Sequence, residues 1–211
     1  MQIPASYSAG PSALVSTIIA DSGGVFHETP NPDDPSGSYR LSAIDFSKPG
    51  GEMDGRGAQA WVRHLNVIDY GGSNQWALPT TVDSSSSVGA PDRALADRSQ
   101  SSSQLAELFY GGLGQVAGSS ITNTHNGAYS LFSNVQPLSY WSGTVFSTNP
   151  GVARSFVPRV GNQGGAGKIL YYYVLAVSPG QVFAVPLPGA AWLMFSGLGG
   201  LVPLVRRGNA E

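Results

Sequence analysis

The sequence predicts a single α+β domain that has few helices, several short strands and much loop. Glycine and proline supply 28 and 15 of the 211 residues, so turns are frequent. Apolar residues recur at helical spacing in only two short stretches, whereas short β-prone runs alternate with Gly and Asn turns in the second half. Charged residues make up 11% of the chain against 41% hydrophobic residues, so we expect one core of ordinary size.

The N-terminal quarter is predicted to hold one strand followed by loops. Residues 13–20 are largely apolar, but no basic residue precedes them, because the first is Arg40. A secretory leader starts with basic residues, so a first β-strand is favoured over a leader, and residues 1–17 are expected to hold an incomplete or absent signal peptide. The Pro, Gly, Asp and Ser clusters between Thr29 and Gly57 predict surface loops.

Two short helices are predicted in the middle of the chain. The first covers Ala58–Leu65, and its inward-facing residues are Ala60, Trp61 and Leu65. A polar loop with serine clusters at 84–87 and 99–103 separates it from the second helix. The second helix is expected to end at Gly111-Gly112, since glycine commonly terminates helices. Its apolar residues are Leu105, Leu108 and Phe109.

The second half of the domain is predicted to be rich in strands. The expected strands are Ser139–Phe146, Val152–Val157 and Ile169–Val177. The segment Gly161–Gly167 is interpreted as a glycine-rich hairpin loop. Because side chains alternate along a strand, Tyr172 should point opposite to Tyr171 and Tyr173, leaving one face of that strand exposed.

The C-terminal end has three parts in a fixed order. Val185-Pro186-Leu187-Pro188-Gly189 is a proline-containing turn that stops any preceding helix. Residues 189–205 are uncharged, and as a helix they would cover roughly 26 Å, somewhat less than the ~30 Å hydrocarbon core of a bilayer. Arg206 and Arg207 follow, and they would hold the C-terminus on the cytoplasmic side. We therefore expect a marginal transmembrane helix that serves as a temporary anchor.

This tail resembles the PEP-CTERM class of bacterial sorting signals, in the variant written VPLPA. The resemblance implies processing by an exosortase-type sorting peptidase, with Pro186, Leu187 and Pro188 as the recognition motif. Gly189 stands where alanine is usual. The expected organisation is an N-terminal segment at 1–17, a globular domain at 18–183 and a sorting tail at 184–211.

The body of the chain resembles the Lcl C-terminal domain family, also called DUF1566. The resemblance covers roughly residues 18–183 and includes the Tyr-Trp-Ser-Gly-Thr string at Tyr140–Thr144. The other matching strings lie, in family order, at Leu65–Thr80, Gln104–Gly114, Leu131–Phe146, Ala153–Phe156 and Tyr173–Val182. It implies a loop-rich fold related to C-type lectins and to the formylglycine-generating enzyme. Some members look like adhesins that bind sulfated or other acidic glycans.

Three positions depart from the family pattern. Ala77 and Ser178 each stand where arginine is usual, and Arg154 stands where tryptophan is usual. Because these two arginines are missing, the expectation of acidic-sugar binding that the family resemblance implies is weakened. A small basic face formed by Arg154, Arg159 and Lys168 is the remaining hypothesis for such binding.

Aromatic residues are the other candidate glycan contacts, because an aromatic ring packs against the apolar side of a pyranose. The candidates are Trp76, Tyr140, Trp141 and Tyr172. The alternative is that the tryptophans belong to the core, and this alternative is favoured because large aromatic side chains dominate buried area in a small domain.

No metal, cofactor or catalytic residue is predicted. His27, His64 and His125 have no metal-ligand spacing, and the absence of cysteine removes thiolate and disulfide chemistry. Calcium remains a minor alternative at the acidic loop Asn31–Asp34 with Asp45. The net charge of −2, with scattered basic residues, speaks against a nucleic-acid partner.

These observations predict an exported, non-enzymatic surface or extracellular-matrix protein. It would be anchored transiently in the inner membrane and associated with glycan or exopolysaccharide, or act as an adhesin. One alternative is a structural envelope or matrix component without a specific ligand. A more distant one is an enzyme related to the formylglycine-generating type, whose best-known chemistry needs cysteines that this chain lacks.

Overall fold

A computed structural model describes the chain over residues 12–27, 37–81, 103–146 and 149–179. The helices are α1 (Ser12–Asp21), α2 (Gly55–Val67) and α3 (Gln104–Ala106), and α3 continues as a π-helical segment over Glu107–Gly112. The strands are β1 (Val25–His27), β2 (Ser38–Arg40), β3 (Tyr140–Phe146), β4 (Asn149–Val157) and β5 (Asn162–Gly167). Within the described residues, β1 and β2 form one antiparallel sheet, and β3, β4 and β5 form another in that order. The predicted α+β class is confirmed at this level.

Residues 13–20 form most of helix α1, so the predicted first β-strand is wrong. Val15 and Ile18 are buried and Ile19 is partly buried, which is the i, i+3, i+4 spacing of a helix that packs on one side. The helix ends where Gly23 and Gly24 adopt positive φ angles of 84° and 71°, a backbone conformation that glycine tolerates best. The apolar run itself does not distinguish the two structures, and the terminating glycine pair was the overlooked signal.

Both predicted helices are present. Helix α2 begins at Asp54, whose side chain accepts a hydrogen bond from the Gly57 amide at 2.6 Å, and it contains the predicted range Ala58–Leu65. Of its predicted inward residues, Ala60 and Leu65 are buried and Trp61 is half-buried. The second helix ends at the predicted glycine pair, and it buries Leu105 and Phe109 while Leu108 is half-buried.

The prediction of surface loops between Thr29 and Gly57 is confirmed for the exposed residues 47–50 and is wrong for much of the rest of 37–57. This part contains β2, a 3₁₀ turn at Ala43–Phe46 and the first residues of α2. Phe46 and Met53 are 2% and 1% exposed, so the segment contributes to the core despite its Pro, Gly and Asp content. Residues 28–36 lie outside the described part.

The sheet of β3, β4 and β5 separates two hydrophobic clusters. Trp141, Ala153 and Ala166 pack with residues of α1 and α2 in the first cluster. Tyr140 and Phe156 are paired across β3 and β4, and both belong to the second cluster with α3. This arrangement follows from the alternation of side chains along each strand. Both faces of the sheet are therefore covered.

Strand β5 corrects the interpretation of Gly161–Gly167 as a hairpin loop. Residues 162–167 pair with β4 in continuous register, and Gly161, at a φ of 67°, belongs to the turn before them. A Cβ atom on Gly165 would lie 2.5 Å from Cζ of Phe146, so the missing side chain makes room for that ring. The glycines therefore permit close packing within a sheet.

Residues 169–177 do not form the predicted regular strand. They make isolated bridges to three different segments, through the pairs Met53–Tyr172, Tyr140–Tyr173 and Ala77–Val177. Because the partner changes every few residues, no continuous ladder develops. The segment instead connects the start of α2, the start of β3 and the chain after α2.

Candidate carbohydrate-binding surface

Two of the predicted glycan-binding aromatic residues belong to the core. Trp141 is 1% exposed, and its Nε1 donates a hydrogen bond to the Met53 carbonyl at 2.9 Å. Tyr140 is 5% exposed, its hydroxyl accepts a hydrogen bond from the Gln136 amide at 2.7 Å, and burial raises its pKa. Neither ring is open to a sugar, so the alternative assignment of Trp141 to the core is confirmed and the glycan role of Tyr140 is corrected.

The predicted basic face is not formed. Arg154 is 1% exposed, and its guanidinium lies 3.8 Å from the centre of the Phe146 ring. Lys168 is 4% exposed, and its Cβ and Cγ lie beside Gly55 at the start of α2. Of the three residues, Arg159 alone is exposed. Nearness in sequence was misleading because the Arg154 guanidinium packs over the buried Phe146 ring and does not reach the surface.

Tyr172 is half-buried, and its ring contributes to internal packing. It lies 4.7 Å from the Trp141 ring, measured between centroids, whereas Tyr173 lies 5.8 Å from Tyr140 in the other cluster. The predicted opposition of Tyr172 and Tyr173 is thus confirmed. Tyr171 follows a third direction, with its hydroxyl donating to the Ile44 carbonyl at 2.9 Å. A glycan role for Tyr172 is not supported by this packing.

Trp76 is the predicted aromatic residue that belongs to neither of the two large clusters. It is half-buried and packs with Tyr70 at the edge of a small third cluster, with ring centroids 5.8 Å apart and ring planes tilted by 59°. The chain between the two rings contains Asn74 and Gln75, both exposed. We call these four residues the Tyr70–Trp76 surface.

Hydrogen bonds to the Tyr70 carbonyl and to the Asn66 side chain hold Trp76 in a fixed orientation. Trp76 Nε1 donates to the Tyr70 carbonyl at 2.8 Å, and the Trp76 amide donates to Oδ1 of Asn66 at 2.6 Å. The Asn66 Nδ2 in turn donates to the Trp76 carbonyl at 3.0 Å, so one side chain clamps both backbone groups. The ring is therefore oriented before any ligand binds, which lowers the entropic cost of binding.

Sequence reasoning missed Tyr70 and Asn66 as partners of Trp76. Asn66 is the penultimate residue of α2, and the turn that follows brings the chain back through Asp69 and Gly71, whose φ angles are 50° and 63°. The Tyr-Gly-Gly sequence at 70–72 was the available signal, since paired glycines permit such a return. The exact register of the return is set by the bridge between Ala77 and Val177.

A second aromatic pair lies on the long connection between α3 and β3. His125 stacks on Tyr129 with ring centroids 4.2 Å apart and ring planes within 18°. Asn126 fixes this turn, because its side chain accepts from the Ala128 amide at 2.9 Å and donates to the Gly112 carbonyl at 3.0 Å. His125 is exposed, and Tyr129 is half-buried. The i, i+4 spacing of the two rings was the signal that sequence reasoning missed.

Several charged groups are buried together at the start of α2. The Tyr39 hydroxyl donates to Oδ1 of Asp45 at 2.6 Å, and the Arg56 guanidinium lies 3.8 Å from the centre of the Tyr39 ring. Asp54 is 2% exposed, and its burial, with a further contribution from Asp45, raises the pKa of its carboxyl to about 7 although the Gly57 amide and Arg56 act in the opposite direction. This cluster is internal, so it links β2 to α2 and offers no surface to a ligand.

The histidines lie apart, as their spacing predicts. His64 Nδ1 lies 2.7 Å from Oδ2 of Asp21, which joins α2 to α1, and His27 lies 3.3 Å from the Ser38 hydroxyl. Among the described residues, no group of three His, Cys, Asp or Glu side chains is arranged to hold a metal ion. Asp45 accepts from Tyr39 and the Ser42 amide, and the rest of the candidate calcium loop, Asn31–Asp34, lies outside the described residues.

The predicted sorting signal also lies outside the described residues. This applies to Val185, Pro186, Leu187, Pro188 and Gly189, to the helix 189–205 and to Arg206 and Arg207. The same holds for residues 1–11 and for the polar loop at 82–102. Within the part that is described, no helix is both long and apolar enough to cross a membrane.

Comparison with known proteins gives no match. No family model matches the chain, and neither a curated protein nor a solved structure is significantly similar to it.

Proposed function

We propose that this chain is an exported, non-enzymatic glycan-binding protein of the cell surface or extracellular matrix. The observation that carries the proposal is the Tyr70–Trp76 surface, where hydrogen bonds orient a partly exposed tryptophan and the two residues before it carry exposed amide side chains. Sugars are bound by this combination, because the ring packs on C–H groups and the amides pair with hydroxyls.

The resemblance to the Lcl C-terminal domain family supports the same proposal. It covers the residues that form the surface, since the string Leu65–Thr80 contains Tyr70, Asn74, Gln75 and Trp76. We further propose the finer fold that the resemblance implies, related to C-type lectins. Its support is a loop-rich domain in which helices precede a three-stranded antiparallel sheet.

Export and sorting are proposed from the C-terminal sequence. The order of a proline-containing motif, an uncharged segment and Arg206-Arg207 is that of a transient membrane anchor processed by an exosortase-type peptidase. Mass spectrometry of the protein from its native host tests this directly. We expect a new C-terminus near Pro188, whereas an intact Glu211 in the extracellular fraction would contradict the proposed sorting.

Glycan binding is tested separately with the full-length chain on an array of neutral and acidic polysaccharides. We expect saturable binding to at least one class. Absence of binding to every polysaccharide would contradict the proposed function and would favour a structural component of the envelope without a specific ligand.

A further inference from the structure

We infer that the ligand of the Tyr70–Trp76 surface is an uncharged polysaccharide. The inference rests on the proposed function and narrows it to one chemical class. It departs from the acidic glycans that the family resemblance implies. Three properties of the described residues carry it: the charge near the surface, the burial of the candidate cations and the chemistry of the exposed side chains.

The segments that form the aromatic surfaces contain almost no charge. Residues 66–81, which include the Tyr70–Trp76 surface, have Asp69 as their one formally charged residue, and it is exposed one position before Tyr70. Residues 103–146 likewise contain Glu107 alone, which is also exposed. Both groups are acidic, so an acidic polymer meets repulsion and no counter-charge from these segments.

Five of the seven Lys and Arg side chains in the described residues are buried or held against other groups, and the other two, Arg40 and Arg159, are exposed at the end of β2 and after β4. Arg56, Arg154 and Lys168 are 1%, 1% and 4% exposed, so their charges belong to the interior. Arg63 is exposed on α2, but its guanidinium lies over the Phe26 ring and donates to the Ser22 carbonyl at 3.1 Å. Lys48 lies 4.7 Å from the centre of the Tyr171 ring. None of these five groups provides a basic patch at Trp76.

The exposed polar groups at the surface suit hydroxyl groups. Asn74 and Gln75 each carry an amide that both donates and accepts, which matches a sugar hydroxyl and gives no preference for a carboxylate or sulfate. Within the described residues, neither side chain makes an internal hydrogen bond, and the Gln75 backbone is held by its amide donating to the Ser73 hydroxyl at 3.2 Å. The surface thus offers a fixed ring and two free amides without a charge.

Binding of the full-length chain to dextran and mannan, compared with alginate and hyaluronan, tests the inference. We expect binding to a neutral polymer that changes less than about twofold between roughly 20 mM and 500 mM NaCl, since no ion pair is screened. Trp76→Ala should weaken this binding by about tenfold, the factor that 1.4 kcal/mol represents. The double variant N74A/Q75A changes exposed residues only, and it should weaken binding by at least about threefold.

Tyr129→Ala is the matched control, because it removes a half-buried aromatic ring, like that of Trp76, from the His125–Tyr129 pair and should leave binding unchanged. Thermal unfolding of each variant verifies that it is folded before its affinity is compared. Salt-sensitive binding to alginate or hyaluronan alone would overturn the inference but leave the proposed glycan binding intact. Loss of binding in Tyr129→Ala with full binding in N74A/Q75A would overturn the assignment to the Tyr70–Trp76 surface. Binding to no polymer would overturn both proposals.

Discussion

Nε1 of Trp141 donates a hydrogen bond to the Met53 carbonyl across 2.9 Å, although 88 positions separate the two residues. The bond joins the central sheet to the residue that precedes the N-cap of α2, and the same carbonyl accepts the Tyr172 amide at 3.0 Å. Three distant parts of the chain therefore meet at one backbone oxygen. This contact fixes where α2 begins, and α2 in turn presents Asn66 to Trp76 at its other end.

Replacement of Trp141 by phenylalanine should destabilise the fold. It removes the indole donor and leaves a void in a fully buried position, so we expect the free energy of unfolding to fall by about 2–3 kcal/mol. Trp61→Phe, at a half-buried position on α2, is the matched control and should cost less than about 1 kcal/mol. Urea unfolding followed by circular dichroism measures both. Equal losses would show that the Trp141–Met53 contact has no special role.

Alanine substitution should destabilise the protein at Gly165 much more than at the adjacent Gly164 of β5. A Cβ on Gly165 would lie 2.5 Å from the Phe146 ring, so Gly165→Ala should destabilise the protein by about 1–3 kcal/mol. A Cβ on Gly164 meets nothing within 4 Å, and Gly164→Ala should change stability by less than about 1 kcal/mol. Thermal unfolding compares the pair. A larger loss in Gly164→Ala would contradict the close packing of Phe146 on β5.

The buried carboxyl of Asp54 should make stability fall as pH rises from about 4 to about 7. Its pKa is raised to about 7 in the folded protein, whereas an unfolded aspartate titrates near 3.9. The folded state therefore holds this proton over that range and the unfolded state does not, so the group's contribution falls with rising pH and is constant above pH 7. The expected loss over this range is on the order of 4 kcal/mol.

Asp54→Asn keeps an N-cap residue but cannot ionise, so it should flatten this part of the pH profile and be more stable than the wild type at pH 8. Asp69→Asn changes an exposed residue and should retain the wild-type slope. Urea unfolding at a series of pH values gives the comparison. A wild-type slope in Asp54→Asn would assign the pH dependence to other groups.

The fold was predictable where periodicity and terminating residues agreed. Helix α2 and strands β3 and β4 have both, and they lie within a few residues of their predicted ranges. The sequence-based prediction was wrong where one pattern of apolar residues fits both a strand and a helix. Val15, Ile18 and Ile19 suit a strand by composition and a helix by spacing, and the terminating Gly23-Gly24 pair together with packing against α2 favours the helix.

The candidate surface was predictable only in part. Trp76 stands out by residue type, but nothing in its local sequence shows that Trp141 is covered and Trp76 is not, since coverage depends on long-range contacts with Met53 and Tyr172. The same holds for Arg154, which packs on the Phe146 ring, and for Lys168, which packs beside Gly55 at the start of α2. Burial of charge is a tertiary property, and it removes two of the three residues of the predicted basic face from the surface.

The indole N–H signals of the full-length chain, recorded by ¹⁵N NMR during titration with dextran or mannan, test the central claim most directly. Each of the four tryptophans contributes one indole N–H signal, and Trp76→Phe identifies the one of interest. We expect the Trp76 signal to shift or broaden saturably while the buried Trp141 signal stays unchanged. An unchanged Trp76 signal under conditions in which the polymer binds would contradict the claim that this surface holds the glycan.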